Sequence, residues 1–119
     1  MVHAVSEYTW TSTVVDDDGT SHTFDCCRVQ TGPVDEHVPF KGGIRFHPSV
    51  TVAHTRVLAD AMRRKCALHG LPFRGAKGGV ALDPSKHSST VLEGVCRAYV
   101  DALSTRGLVG PDVDVPAPD

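Results

Sequence analysis

The chain has 119 residues, so a single domain is the expectation, and with 40% apolar and 22% charged residues its proportions are globular rather than disordered. A net charge of −2 provides no basic field for nucleic acid or an anionic membrane. No apolar run approaches the ~18 residues of a spanning helix, and the opening Met1 to Glu7 lacks the basic and apolar regions of a signal peptide, so a soluble cytoplasmic domain is expected.

Glu7 to Gln30 reads as a β-hairpin. Tyr8, Trp10 and Val14 share one parity, and Asp17-Asp18-Gly19 supplies a turn in which glycine tolerates positive φ. The return strand, from about His22, carries Phe24, Cys26 and Val29. Thr31 to Pro39 reads as a loop with two prolines. Lys41-Gly42-Gly43-Ile44-Arg45-Phe46-His47-Pro48 is too glycine-rich for a helix interior and fits a short strand with close backbone approach.

Thr51 to His69 is the clearest helix. At ~100° per residue, Leu58, Ala61, Met62, Cys66 and His69 form one face, with Arg56, Asp60, Arg63 and Arg64 opposite. Gly70 supplies a left-handed stop and Pro72 follows. Lys65 falls between Leu58 and Met62 in angle, on the face expected to be buried, where an ammonium needs a partner or a wet pocket. Phe73 to Leu82 is a second glycine-rich strand. Ser88 then caps a helix to about Arg106, with Leu92, Val95, Cys96, Tyr99 and Leu103 as its core stripe and Gly107 as its stop. The tail from Gly110 to Asp119 carries three prolines and is expected to be extended. The order describes a single small α/β domain with a mixed sheet: an N-terminal antiparallel hairpin plus strands alternating with two helices.

Four cysteines, Cys26, Cys27, Cys66 and Cys96, show no CxxC pair and no zinc spacing, so reduced thiols and no metal are expected. Cys26 and Cys27, adjacent in a strand, point to opposite faces. Gly70 to Lys77 imitates a phosphate loop only superficially, because Ala76 separates Gly75 from Lys77 and Gly78 follows. The lysines are few: Lys41, Lys65, Lys77 and Lys86. Lys41 and Lys77 each adjoin a Gly-Gly pair. Lysine, unlike arginine, can be tuned toward a neutral amine, and three such lysines could bind a dicarboxylate and transfer a proton.

Four segments then carry a family resemblance. Pro39 to Val50 resembles the substrate-domain signature of glutamate dehydrogenases, and Leu71 to Val80 resembles that family's catalytic-lysine motif. Met62-Arg63-Arg64-Lys65-Cys66-Ala67 is similar to the intervening helix, and Gly110 to Asp119 resembles the segment ending at the catalytic aspartate. The resemblance implies that Lys77 is the catalytic lysine and Asp119 its acid/base partner. It implies that Lys65 grips the α-carboxylate of glutamate or 2-oxoglutarate, that Lys41 pairs with the distal carboxylate, and that Met62 lines the pocket. Gly42, Gly43, Gly78 and Gly79 would let backbone amides approach the substrate. Arg74 stands where the family usually carries glycine; close to Lys77, it would lower the lysine's pKa by like charge.

The resemblance also implies NAD or NADP as cofactor and a homo-oligomer whose hairpins help to pair subunits. Residues 1–119 correspond to part of the dimerisation (substrate-binding) domain, the Rossmann cofactor domain being absent, so this chain alone is expected to be inactive as a dehydrogenase. The alternative expectation is a non-catalytic interaction module, or a split-enzyme half, that co-assembles with a chain carrying the cofactor domain.

Overall fold

The computed structural model describes residues 3–117. A long hairpin opens the chain: β1 (His3–Val15) and β2 (Ser21–Pro33) pair in register from His3 opposite Pro33 to Val15 opposite Ser21. Gly19, at φ 83°, makes the turn, and its N–H donates to the Asp16 carbonyl. Thr31 to Pro33, expected in a loop, instead continue β2. Pro33 closes the strand, where its missing N–H is tolerated. After β3 (Phe40–Phe46), α1 (Val52–Leu68) leads to β4 (Arg74–Val80), and α2 (Ser89–Thr105) leads to β5 (Asp114–Ala117). The tail is therefore extended only from Asp114; a turn at Gly110, with φ 139°, precedes it.

The sheet order is β1-β2-β4-β3-β5. β2 pairs with β4 antiparallel, whereas β3 runs parallel to both β4 and β5. The α1 and α2 connections lead in opposite directions along the sheet, so right-handed crossovers place the two helices on opposite faces. Both helices begin and end as their sequences dictate. Thr51 Oγ1 accepts from His54 N at 3.1 Å and Ser88 Oγ accepts from Val91 N at 3.2 Å, while Gly70 and Gly107 take φ 63° and 67° just past the last turns.

The larger core lies under α2. Val91, Val95, Tyr99 and Leu103 pack on Phe24, Cys26, Val80 and Leu82, with Trp10, Val14, Ile44 and Phe46 at the margin. Cys96, expected in this stripe, is exposed, because the buried face follows the four-residue spacing of 91, 95, 99 and 103.

On the other face, α1 buries Thr55, Ala59 and Cys66 rather than the larger stripe expected. Ala61 and His69 are exposed. The cause is the close approach of helix to sheet. A Cβ on Gly75 would come within 2.5 Å of the Ala59 carbonyl oxygen and the Arg63 nitrogen, and one on Gly79 within 2.5 Å of Val50. Only small side chains fit between such surfaces, so Leu58 and Met62 are turned to the helix's flank.

Candidate functional site

Side chains alternate across a strand, and Gly75 and Gly79 lie against α1 and the segment leading into it, so Lys77 between them belongs to the same face of β4. It is buried at 9% exposure. On the adjacent strand Lys41 pairs with Gly75, two residues from Lys77. The parity of Lys41 is opposite to that of Ile44 and Phe46, which pack toward α2, so Lys41 and Lys77 share the α1 face. Strand spacings put their Cα atoms roughly 8 Å apart.

The helix leaves this part of the sheet open. α1 lies over β4 and β2 and barely reaches β3. Its β1-ward flank is marked by Arg56, whose guanidinium donates to Glu7 at 2.7 Å. Leu58, Met62 and Lys65 fall on the opposite flank, at the edge of the floor formed by β3 and β4. The inward burial expected for Lys65 is therefore corrected: it is exposed, and Met62 is half-buried. Of the stripe read as core, Cys66 is buried, whereas Leu58 and Met62 are half-buried beside the part of the sheet that α1 leaves uncovered.

Lys41 is half-buried, with its Nζ 5.2 Å from the centroid of the Phe73 ring. Arg74 points away from Lys77. Its neighbours Ala76 and Gly78 face the other side of the sheet, where its guanidinium lies 4.0 Å from the centre of the Phe40 ring and its Nε donates to the Val38 carbonyl at 2.8 Å. No non-glycine residue among those described has positive φ, so Arg74 carries no backbone strain at the family's glycine position. Asp119 lies outside the described residues.

The glycines have reasons within the fold. A Cβ on Gly42 would fall 1.5 Å from the Ala76 carbonyl oxygen, and one on Gly78 would fall 1.9 Å from the Tyr99 hydroxyl and 3.1 Å from an Arg28 nitrogen. The missing side chains of Gly42 and Gly78 thus make room for protein atoms. Gly43 accepts through its carbonyl from Arg28 Nη1 at 3.1 Å.

A buried network absent from the sequence reading holds this floor from below. Arg28, fully buried on β2, donates to both Asp114 carboxylate oxygens, at 2.6 and 3.0 Å, and to the Gly42 and Gly43 carbonyls. Gln30 Nε2 adds a third hydrogen bond to Asp114 at 3.0 Å, and the Tyr99 hydroxyl donates to the Cys27 carbonyl at 2.7 Å. Burial works against the Arg28 charge, but the hydrogen bonds and charge of Asp114 outweigh it and hold the guanidinium's pKa above its ordinary value. Burial also raises the pKa of Tyr99. One signal was available: Arg28 is the lone lysine or arginine in an otherwise uncharged run from Cys26 to Pro33.

The described residues do not form a dinucleotide cradle. β3 reaches α1 through His47-Pro48-Ser49-Val50-Thr51, and β4 reaches α2 through a longer segment containing one 3₁₀ turn at Pro84–Lys86. Neither is the glycine-rich strand-to-helix turn that pyrophosphate requires. No group of three or more metal-ligating side chains occurs among the described residues, and none of their helices is long and apolar enough to cross a membrane.

Comparison with known proteins agrees with this architecture. Residues 6–119 match the family described as Glu/Leu/Phe/Val dehydrogenase, dimerisation domain. The chain is 45% identical over 103 residues to the NADP-specific glutamate dehydrogenase of Synechocystis sp., covering 87% of this chain and 23% of that one. It is 48% identical over 82 residues to the mitochondrial glutamate dehydrogenase of Dictyostelium discoideum, covering 69% and 16%. The hetero-hexameric glutamate dehydrogenase of Thermus thermophilus in its Leu-bound form matches with a TM-score of 0.85 and 42% identity, over 96% of this chain and 26% of that one. The chain thus spans about a quarter of the length of such relatives. With nearly every residue matched and the same fold throughout, the chain belongs to the Glu/Leu/Phe/Val dehydrogenase family, in the region of its dimerisation domain.

Proposed function

We propose that this chain is the substrate-binding and dimerisation part of a glutamate dehydrogenase, acting in the oxidative deamination of glutamate to 2-oxoglutarate. The observation that carries this reading is the placement of Lys41 and Lys77 on one face of neighbouring strands, beside the open flank of α1 that bears Met62 and Lys65.

In this reading the part of the sheet that α1 leaves uncovered binds the substrate by its two acidic ends. Lys65, exposed on the helix flank, takes the α-carboxylate, and Lys41 on β3 takes the distal one. A cation there disfavours an apolar side chain, which would leave the ammonium desolvated and unpaired. Lys77 sits between them at the sheet surface, where its amine can activate water and relay a proton at the substrate's Cα. Asp119 is its acid/base partner at the amine. Met62 supplies an apolar wall. NAD or NADP, named for several relatives, would accept the hydride. The described residues offer it no cradle, so dehydrogenase activity by the 119-residue chain alone is not expected.

The same region serves assembly. β1 pairs only with β2 among the described strands, leaving one edge of a 13-residue strand open with Val5 and Val15 exposed. Such an edge suits pairing with a second copy or a longer subunit. A cytoplasmic oligomer is the form we propose.

The test is titration of the chain with 2-oxoglutarate while backbone amide shifts are followed by NMR. Changes centred on residues 41–43, 62–65 and 77–79 are expected. Changes confined to another part of the sheet, or none at millimolar ligand, would overturn the assignment.

A further inference from the structure

Two cation–π contacts are crossed between β3 and β4. Phe40 and Lys41 are consecutive on one strand, Phe73 and Arg74 on the other chain segment, and Phe40 pairs with Arg74 in the parallel register. Each aromatic ring carries the cation of the opposite strand: Arg74 lies over Phe40 and Lys41 lies over Phe73, at 4.0 and 5.2 Å. Successive residues alternate, so the two pairs occupy opposite faces of the sheet. The backbone bond from Arg74 N to Pro39 O, at 2.9 Å, belongs to the β3–β4 register that makes the exchange possible.

The two cations differ in what else they touch. Arg74 is further tied to the Val38 carbonyl. For Lys41, no ion pair with a carboxylate occurs among the described residues, although it is half-buried. An aromatic face attracts an ammonium without cancelling its charge and leaves N–H donors free on the side away from the ring. A lysine on a four-carbon stem otherwise loses considerable rotamer freedom when a ligand fixes it. A ring that already confines the amine removes part of that cost before binding.

We propose that Phe73 is a positioning residue for Lys41, parking its amine on the α1 face of the sheet so that it meets the distal carboxylate of a dicarboxylic 2-oxo or amino acid. This rests on the substrate reading given above, and the experiment separates the two. The affinities of the 119-residue chain for 2-oxoglutarate and for 2-oxopentanoate, which lacks the distal carboxylate, are measured by calorimetry for the wild type, Lys41→Met, Phe73→Leu and Phe73→Trp.

The wild type should prefer the dicarboxylate, and Lys41→Met should abolish that preference. Phe73→Leu should narrow it about three- to fivefold, the scale of one partly exposed cation–π contact, without weakening 2-oxopentanoate. Phe73→Trp should retain it. A Phe73→Leu chain with undiminished preference, alongside a Lys41→Met chain that has lost it, overturns the role of Phe73 and leaves the substrate reading standing. Undiminished preference in Lys41→Met, or none in the wild type, overturns both. A direct readout needs no ligand and no folded variant: ring currents should shift the Lys41 Cε protons upfield in the wild type. Unshifted Cε protons would also overturn the proposal.

Discussion

Arg28 on β2 and Asp114 on β5 form a fully buried ion pair at 2.6 Å, although β4 and β3 lie between their strands. The guanidinium reaches across the sheet beneath Gly78, and on the way it ties down the Gly42 and Gly43 carbonyls that follow Lys41. The hairpin, β3 and β5 are thereby held at one point, with β4 passing between them.

Removing one partner of this pair leaves the other charge desolvated. Arg28→Met or Asp114→Leu is expected to cost about 3–5 kcal/mol, read as a lower urea midpoint. The double variant, with no uncompensated charge, should be less destabilised than the sum of the two. Additive losses in that cycle would show that the pair is not the unit described.

Gly78→Ala should destabilise the chain by about 1–3 kcal/mol, because the new methyl meets the Tyr99 hydroxyl at 1.9 Å and the Tyr99 bond to the Cys27 carbonyl must give way. Tyr99→Phe in the same chain removes the colliding oxygen and should recover part of the loss, despite its own cost in the wild-type background. Thermal melts of the four proteins decide this; absence of any recovery would place the strain elsewhere.

Arg74→Gly, which installs the residue usual in the resembling motif, should lower stability by about 1–2 kcal/mol through loss of the Phe40 stack and the bond to Val38. Because Arg74 and Lys77 occupy opposite faces, 2-oxoglutarate affinity should be unchanged. A marked gain or loss in affinity would mean that the two cations communicate.

Acid sensitivity should have a component from Asp60. The hydrogen bond from Arg63 at 2.8 Å is the main cause of its lowered pKa, partly opposed by burial, and the Arg63 and Arg64 charges add to it. A carboxyl that binds its proton less tightly folded than unfolded stabilises fully above the ordinary value of 3.8. That contribution is lost as pH falls through the lowered folded value. Asp60→Asn should therefore be less stable than wild type at pH 7, by under ~1 kcal/mol because the side chain is 35% exposed. The two should converge once the pH lies below the lowered folded value; a constant gap across the titration would contradict the assignment.

Much of the element order was legible because it is written in local chemistry. Thr51 and Ser88 cap the helices, Gly70 and Gly107 stop them, and Gly19 turns the hairpin. The α1 face was misread because helical periodicity reports where apolar residues cluster, not what they touch. Leu58 and Met62 are apolar yet only half-buried on the helix flank, while Thr55 and Ala59 fit the narrow gap that the β4 glycines create. Cys96 was misplaced by the same reasoning. The lysines of the proposed site stood out through their scarcity and glycine neighbours. Arg28 and Asp114 did not, since 86 positions separate them and only the finished sheet brings them together.

That separation has a temporal side. During synthesis the hairpin, with its buried cation, leaves the ribosome long before the carboxylate that neutralises it has been polymerised. Until residue 114 emerges, the guanidinium must stay hydrated or be shielded by another molecule. The sheet can therefore lock only after β5 has been made, so the closing of the Arg28–Asp114 pair is a late event in its assembly.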